Sequence, residues 1–171
     1  MSERRDWKTA PLPELMTHIV EAHHAFCRRE MARLNGLFPA AAGEGKLAAA
    51  FQQLCAALSQ HLAKEEMVLF PLIAGFAAAQ REHTRPPQPS FGSVANPIRM
   101  MVLEHGEAEK LLAQMRVESN GFAAPARATE AVQQLYAGLR AFDEDMTVHV
   151  QLEDTALFPR AIALEQELLG G

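Results

Sequence analysis

The chain states one pattern twice, as HLAKEEMVLFP from His61 to Pro71 and as HVQLEDTALFP from His149 to Pro159. Each copy contains a histidine, a glutamate four residues later and Leu-Phe-Pro at its end. Positions i and i+4 lie on the same face of an α-helix, about one turn apart. The repeat therefore predicts two helices, each carrying an imidazole and a carboxylate that face one point.

Apolar residues flank both copies at the alternating spacing of three and four that marks a buried helical face. They are Leu47, Phe51, Leu54, Leu58, Val68 and Leu72 in one segment, and Val132, Leu135, Leu139, Phe142, Met146 and Leu157 in the other. His61 and Glu65 continue the first stripe, and His149 and Glu153 continue the second. A buried ionised carboxylate without a partner costs on the order of several kcal/mol. Both glutamates are therefore predicted to have a neutralising partner.

Three interpretations fit one such pair: a buried ion pair used for packing, a catalytic acid and base, or part of a metal site. The repetition favours metal, because two related helices of a bundle place four ligands around a shared centre. A third stripe contains His105 and Glu109, again four residues apart. Its apolar members are Val94, Ile98, Met101, Leu112 and Met115.

The composition narrows the class of protein. The 171 residues are 49% hydrophobic with one Trp and one Tyr, which favours a single all-α domain. The net charge of −5 and the lack of a Lys/Arg block argue against nucleic acid as a partner. There is no apolar stretch of about 20 residues and no secretion-like N-terminus, so we expect a cytoplasmic protein without a membrane span. Cys27 and Cys55 are predicted to be reduced thiols.

The order of apolar segments and loops predicts an up-down-up-down four-helix bundle within residues 1–171. Pro71 is expected to kink the second helix or to end its regular part. The predicted elements are an N-terminal arm at 1–10 and helices at about 12–38, 46–80, 94–118 and 125–168.

The first predicted helix offers two adjacent histidines, His23 and His24, as a further ligand. The helical period places His23 nearer the centre of the apolar stripe and His24 towards its edge. Periodicity therefore favours His23, and both remain candidates at this point.

A histidine on the first helix, HxxxE on the second, a histidine on the third and HxxxE on the fourth resemble the hemerythrin-like (HHE cation-binding) family. Further phrases resemble its repair-of-iron-centres branch: DW at 6–7, APL at 10–12, EEMVLFP, NPIRMMVLEHGEAEKLL and LEDTALFPRA. The resemblance extends from about Asp6 to Ala161. It implies a hemerythrin-like fold and a centre of two iron ions.

Matching positions imply a specific ligand set. The residues carried over are His24, His61, Glu65, His105, His149 and Glu153, with the two glutamates bridging both irons. The resemblance selects His24 over His23, because the family places its ligand second in such a pair. Glu66 and Asp154, one residue beyond the bridging glutamates, are expected to be solvated or to support ligands.

Two departures from the repair branch affect the expectation. That branch has an additional histidine ligand at a position that corresponds to about Gly45 here. We infer that Glu109 replaces it as a seventh ligand. The short cysteine-bearing domain that precedes many repair proteins has no counterpart before this bundle, so complete repair activity is not predicted.

The resemblance implies a non-haem di-iron protein of oxidative or nitrosative stress. It would bind O2, NO or peroxide, or donate iron to damaged iron–sulfur proteins. The alternative is a di-iron enzyme that consumes peroxide or nitric oxide. Imidazole and carboxylate ligands suit iron, with manganese and zinc as alternatives. A metal-free structural bundle is the third interpretation and the least favoured.

Overall fold

A computed structural model describes residues 6–40 and 45–170, and the all-α prediction is confirmed. The described residues form four bundle helices, three of which contain a π-helical turn. Their consecutive segments are Leu12–His18, Ile19–His24 and Ala25–Leu37; Gly45–Lys64, Glu65–Leu69 and Phe70–Glu82; Ala95–Glu118; and Glu130–Leu152, Glu153–Leu157 and Phe158–Gly170. Within these ranges no helix is both long and apolar enough to cross a membrane.

The four helices follow the predicted up-down-up-down order, with the second packed along the third and the first along the fourth. The fourth helix begins at Glu130, five residues later than predicted. Thr129 has an extended backbone and its side chain accepts a hydrogen bond from the amide of Val132 at 3.4 Å. This N-cap ends the preceding turn and fixes where the helix starts.

The π turns lie at the predicted ligands. One ends at His24, and the other two begin at Glu65 and Glu153. A π turn inserts an extra residue and so shifts the face that the following helix buries. Pro71 lies in the first turn of the segment Phe70–Glu82, directly after the π turn Glu65–Leu69. The regular α-helix is therefore interrupted just before the proline, and the helix continues to Glu82.

The buried apolar residues form two clusters at opposite ends of the bundle. One contains mainly Cys27, Met31, Leu34, Phe51, Leu54, Leu58, Leu112, Met115, Leu135, Leu139, Phe142 and Met146. The other contains mainly Leu15, Ile19, Leu69, Phe70, Ile73, Phe76, Val94, Ile98, Met101, Leu157, Phe158 and Ala161. The buried histidines and glutamates lie between them, so apolar side chains shield this polar layer along the bundle axis.

Candidate metal centre

Six side chains from all four helices meet in the middle of the bundle. They are His24, His61, Glu65, His105, His149 and Glu153, and all six are buried. They form two overlapping groups of four that share both glutamates. We call the position between His24 and His149 site 1 and the position between His61 and His105 site 2.

The imidazoles face each other in pairs through Nε2. At site 1 the Nε2 atoms of His24 and His149 are 3.2 Å apart. At site 2 the Nε2 atoms of His61 and His105 are 3.1 Å apart. Each pair thus aims two nitrogen lone pairs or N–H groups at one point.

Both carboxylates divide their oxygens between the sites. Glu65 places Oε2 3.4 Å from His24 Nε2 and Oε1 3.4 Å from His61 Nε2. Glu153 places Oε1 3.0 Å from His149 Nε2 and Oε2 3.1 Å from His105 Nε2. One oxygen per site from each carboxylate is the arrangement of a bridging ligand.

The shared carboxylates are short of hydrogen bonds. Both oxygens of Glu65 and Oε2 of Glu153 are buried without a hydrogen-bond partner among the described residues. Buried polar groups in folded proteins are nearly always satisfied, and buried charges pair with other charges or coordinate metals. Imidazole nitrogens and carboxylate oxygens without thiolate are donors that suit iron, manganese and zinc. These residues therefore fit a pair of divalent cations.

Three of the four imidazoles are held from behind by a carboxylate on another helix. His24 Nδ1 lies 2.7 Å from Glu66 Oε1. The same oxygen forms an ion pair with the guanidinium of Arg28 at 2.9 Å. A carboxylate at Nδ1 holds the proton there and leaves Nε2 free to bind a cation.

Site 2 has this support on both sides. His61 Nδ1 lies 2.9 Å from Glu104 Oε2, and Lys64 binds the other oxygen of Glu104. His105 Nδ1 lies 3.0 Å from Asp154 Oδ1. Glu66 and Asp154 are thus supporting groups, as the sequence suggested, whereas Glu104 was not foreseen. Its position in the sequence could have indicated this role, because each of the three acids directly adjoins a cluster residue.

The carboxylates also shape the proton affinity of the cluster. Burial alone would lower the pKa of His24, but interactions with Glu153 and Glu65 outweigh it and raise the pKa to about 9. Burial is likewise outweighed at His105 by Asp154 and Glu153, which raise its pKa to about 10. Burial would raise the pKa of Glu153, but the charge of a neighbouring imidazole and hydrogen bonds hold it well below its usual value. The centre therefore favours positive charge, and metal cations compete there with protons.

The Leu-Phe-Pro endings of the repeat also contribute to the centre. The Phe70 ring stacks on His24 with centroids 5.8 Å apart and planes 20° apart. The Phe158 ring stacks on His105 at 5.9 Å and 11°. Each copy of the repeat therefore packs an aromatic ring on an imidazole of a neighbouring helix, which restricts ring orientation and excludes water.

The structure does not bring Glu109 to the cluster. Its side chain is 59% exposed and its carboxylate binds Arg116 at 2.7 Å. The buried face of the third helix continues from His105 to Ala108 and Leu112, a regular step of three and four. Glu109 lies one residue past that face, which the sequence interpretation had extended with two steps of four.

Gly45 does not mark a missing ligand position either. It is the exposed first residue of its helix, 16 positions before His61. At 1.5 Å per residue this separation is about 24 Å along the axis, far beyond the reach of a side chain. A replacement for a ligand at Gly45 is therefore not required by this structure.

His23 and His24 are both buried, because the π turn that ends at His24 brings the two neighbours to the inner side. Only His24 belongs to the cluster. His23 instead places Nδ1 2.9 Å from Asp145 Oδ1, and its ring lies parallel to that of His149 with centroids 5.6 Å apart. The sequence did not single out Asp145. Periodicity favoured His23 because it assumed an unbroken α-helix.

Comparison with known proteins agrees with this geometry. Residues 15–161 match the model of the family described as Hemerythrin HHE cation binding domain. The Iron-sulfur cluster repair protein YtfE of Escherichia coli O157:H7 is 31% identical over 172 residues, covering 94% of this chain and 71% of that protein. The protein of the same name from Citrobacter koseri gives the same values.

A further relative is the Probable iron-sulfur cluster repair protein of Haemophilus influenzae. It is 30% identical over 166 residues, which are 92% of this chain and 69% of that protein. The resemblance found in the sequence is thus confirmed. With a helical bundle, a buried His/Glu cluster and these matches, the chain belongs to the hemerythrin HHE cation-binding family and is related to the iron–sulfur cluster repair proteins.

Proposed function

We propose that the chain holds two iron ions, one at site 1 and one at site 2, and works in the response to oxidative or nitrosative stress. The proposed ligands are His24, His61, Glu65, His105, His149 and Glu153. The proposal rests on the pair of buried carboxylates that offer one oxygen to each site, with three of their four oxygens lacking a hydrogen-bond partner among the described residues. Manganese and zinc are chemically acceptable alternatives.

The proposed role is that of an iron donor to damaged iron–sulfur proteins in the cytoplasm, or of a binder of O2 or NO. Support comes from the relatives, whose names describe iron–sulfur cluster repair. When bound, a pair of irons supplies positions for small diatomic molecules and a reservoir of metal. The protein's own residues hold the imidazoles in orientation and exclude bulk water.

A second candidate function is a di-iron enzyme that consumes peroxide or nitric oxide. It is favoured by a groove between the third and fourth helices, because His105 and Asp154 are among the residues that line it. A small molecule that enters this groove reaches an imidazole of site 2. Tightly held iron that turns over peroxide or nitric oxide would distinguish this function from donation.

Metal analysis and the ultraviolet–visible spectrum of protein purified in air test the proposal. Two irons per chain with charge-transfer absorption in the near ultraviolet are expected. Loss of this iron to a damaged cluster protein, with recovery of that protein, would support donation. A chain that binds no iron when supplied with it would contradict the proposal.

A further inference from the structure

The four imidazoles of the cluster differ in the hydrogen-bond partner of Nδ1, the ring nitrogen that does not face the other imidazole of its pair. For His24, His61 and His105, a carboxylate oxygen lies 2.7, 2.9 and 3.0 Å from Nδ1. Nδ1 of His149 is buried and has no hydrogen-bond partner in the described part of the chain. Site 2 therefore has two supporting carboxylates and site 1 has one.

The three supported imidazoles follow one rule around the bundle. Each supporting acid directly adjoins a cluster residue of its own helix and binds the histidine of the helix before it in the chain. The pairs are Glu66 with His24, Glu104 with His61, and Asp154 with His105. To complete this pattern around the bundle, an acid next to His24 would have to bind His149, but the chain has His23 and Ala25 there.

His23 occupies the place of the missing acid without supplying its chemistry. Its ring lies parallel to His149 at a centroid distance of 5.6 Å. It also engages Asp145, which is one turn before His149 on the same helix, through a contact of 2.9 Å between Nδ1 and Oδ1. The other oxygen of Asp145 is buried and makes no hydrogen bond among the described residues. The carboxylate one turn before His149 is thus turned to His23.

Outer support of this kind has a known effect on metal affinity. A carboxylate at Nδ1–H fixes the tautomer, orients the ring and makes Nε2 a better donor, and losing it typically costs about 10- to 100-fold in affinity. Glu65 and Glu153 each present one oxygen to each site. The difference between the sites therefore comes from the imidazole that lacks support.

Building on the proposed two-metal function, we propose that site 2 is the high-affinity site and that site 1 is filled second. Site 1 binds its ion about 10- to 100-fold more weakly. As free metal falls, or as an acceptor competes for iron, site 1 is the first to lose its ion. Site 1 is then the source of donated iron, and site 2 keeps the second ion in the bundle.

Water access does not account for this order. His24 and His149 are fully buried, whereas His61 and His105 retain a few per cent of exposure. Exposure alone would make site 2 the more easily exchanged position. The equilibrium affinities and the ease of access thus point in opposite directions, so the test has to measure occupancy at equilibrium.

The first experiment titrates the metal-free full chain with Zn²⁺, a diamagnetic divalent ion, and follows the histidine rings by NMR. The first equivalent is expected to shift His61 and His105, and the second to shift His24 and His149. A reversed order or parallel shifts would overturn the inference while leaving two-metal binding intact. Binding of fewer than two ions would contradict the two-metal function itself.

A pair of variants in one groove isolates the supporting carboxylate. Asp154→Ala is expected to weaken the first binding step about 10- to 100-fold, so that the two steps draw together. Glu109→Ala removes an acid from the same groove that does not contact an imidazole, and both steps should stay unchanged. Equal effects of the two variants would refute the assignment. Glu104→Gln repeats the test on His61 if circular dichroism shows that Asp154→Ala is misfolded.

Discussion

The two copies of the repeated pattern build the same half-centre but are not equally supported. In each copy the histidine and glutamate reach the cluster, the phenylalanine stacks on an imidazole of another helix, and the acid after the glutamate binds an imidazole Nδ1. They differ at their own histidine. His61 Nδ1 lies 2.9 Å from Glu104, whereas His149 Nδ1 has no partner among the described residues.

The proposed ligands and the groups that support them come from different parts of the sequence. The repeat places proposed ligands on the second and fourth helices and gives the cluster its near symmetry. The support of those ligands comes from the neighbouring helices, which do not share the repeat. The third helix supplies an acid for His61, but the first helix supplies His23 in the place where His149 would need one.

The largest effect is expected from changing a carboxylate that both sites share. Glu65→Gln or Glu153→Gln replaces a carboxylate that faces both sites by a neutral amide. Both ions should bind at least about 100-fold more weakly, a larger loss than that of a supporting group. Metal content after dialysis against a fixed free-metal buffer measures it. Retention of one ion at full affinity would show that the carboxylate is not shared.

The next effect separates the two copies. His149→Ala removes a ligand of site 1 alone, and His61→Ala removes a ligand of site 2 alone. Each variant should keep one ion per chain, at the site that retains both imidazoles. Metal analysis gives the count, and histidine NMR identifies the occupied site. Loss of both ions in each variant would mean that the sites fill only as a unit.

A smaller effect is expected at the carboxylates that support the imidazoles. Glu66→Gln removes the charge behind His24 and should weaken site 1 by about 10- to 100-fold without changing site 2. The gap between the two binding steps would then widen, opposite to the change expected for Asp154→Ala. Competition with a chelator of known affinity measures both steps. A widened gap in both variants would contradict the assignment of each acid to its site.

The smallest effect concerns Glu109. Glu109→Ala should leave metal content unchanged, because the carboxylate is exposed and paired with Arg116. The lost surface ion pair should cost no more than about 1 kcal/mol of unfolding free energy, and Arg116 keeps Asp143 at 2.7 Å. Metal analysis and thermal unfolding check both expectations. Loss of one ion would restore Glu109 to the ligand set.

The bundle and most residues of the cluster could be predicted from the sequence, because both follow from regular spacing. His61 with Glu65, and His149 with Glu153, are one helical turn apart, so their convergence needs only an unbroken turn between them. The same reasoning placed His105 on a buried face. Helix ends were harder to place, as the start of the fourth helix shows, since a capping threonine rather than the apolar pattern sets it.

The spacing-based placements of His23 and Glu109 differ from the structure for one physical reason: spacing did not identify correctly which residues of each helix face inward. The π turn before Ala25 brings both His23 and His24 inward, and no spacing rule for an α-helix reproduces that. Glu109 was placed on the buried face by two steps of four from Met101, whereas the observed face steps by three from His105 to Ala108. The supporting acids could not be assigned from one helix, because each binds a histidine on another.

Anomalous diffraction at the iron edge, from crystals of the protein loaded with iron, is the direct test of a two-iron centre. We expect two iron peaks, one between His24 and His149 and one between His61 and His105, with Glu65 and Glu153 between them. Two-metal sites of this type separate their ions by about 3.5–4 Å. A single peak, or a peak bound by Glu109, would contradict the proposed pair of iron sites.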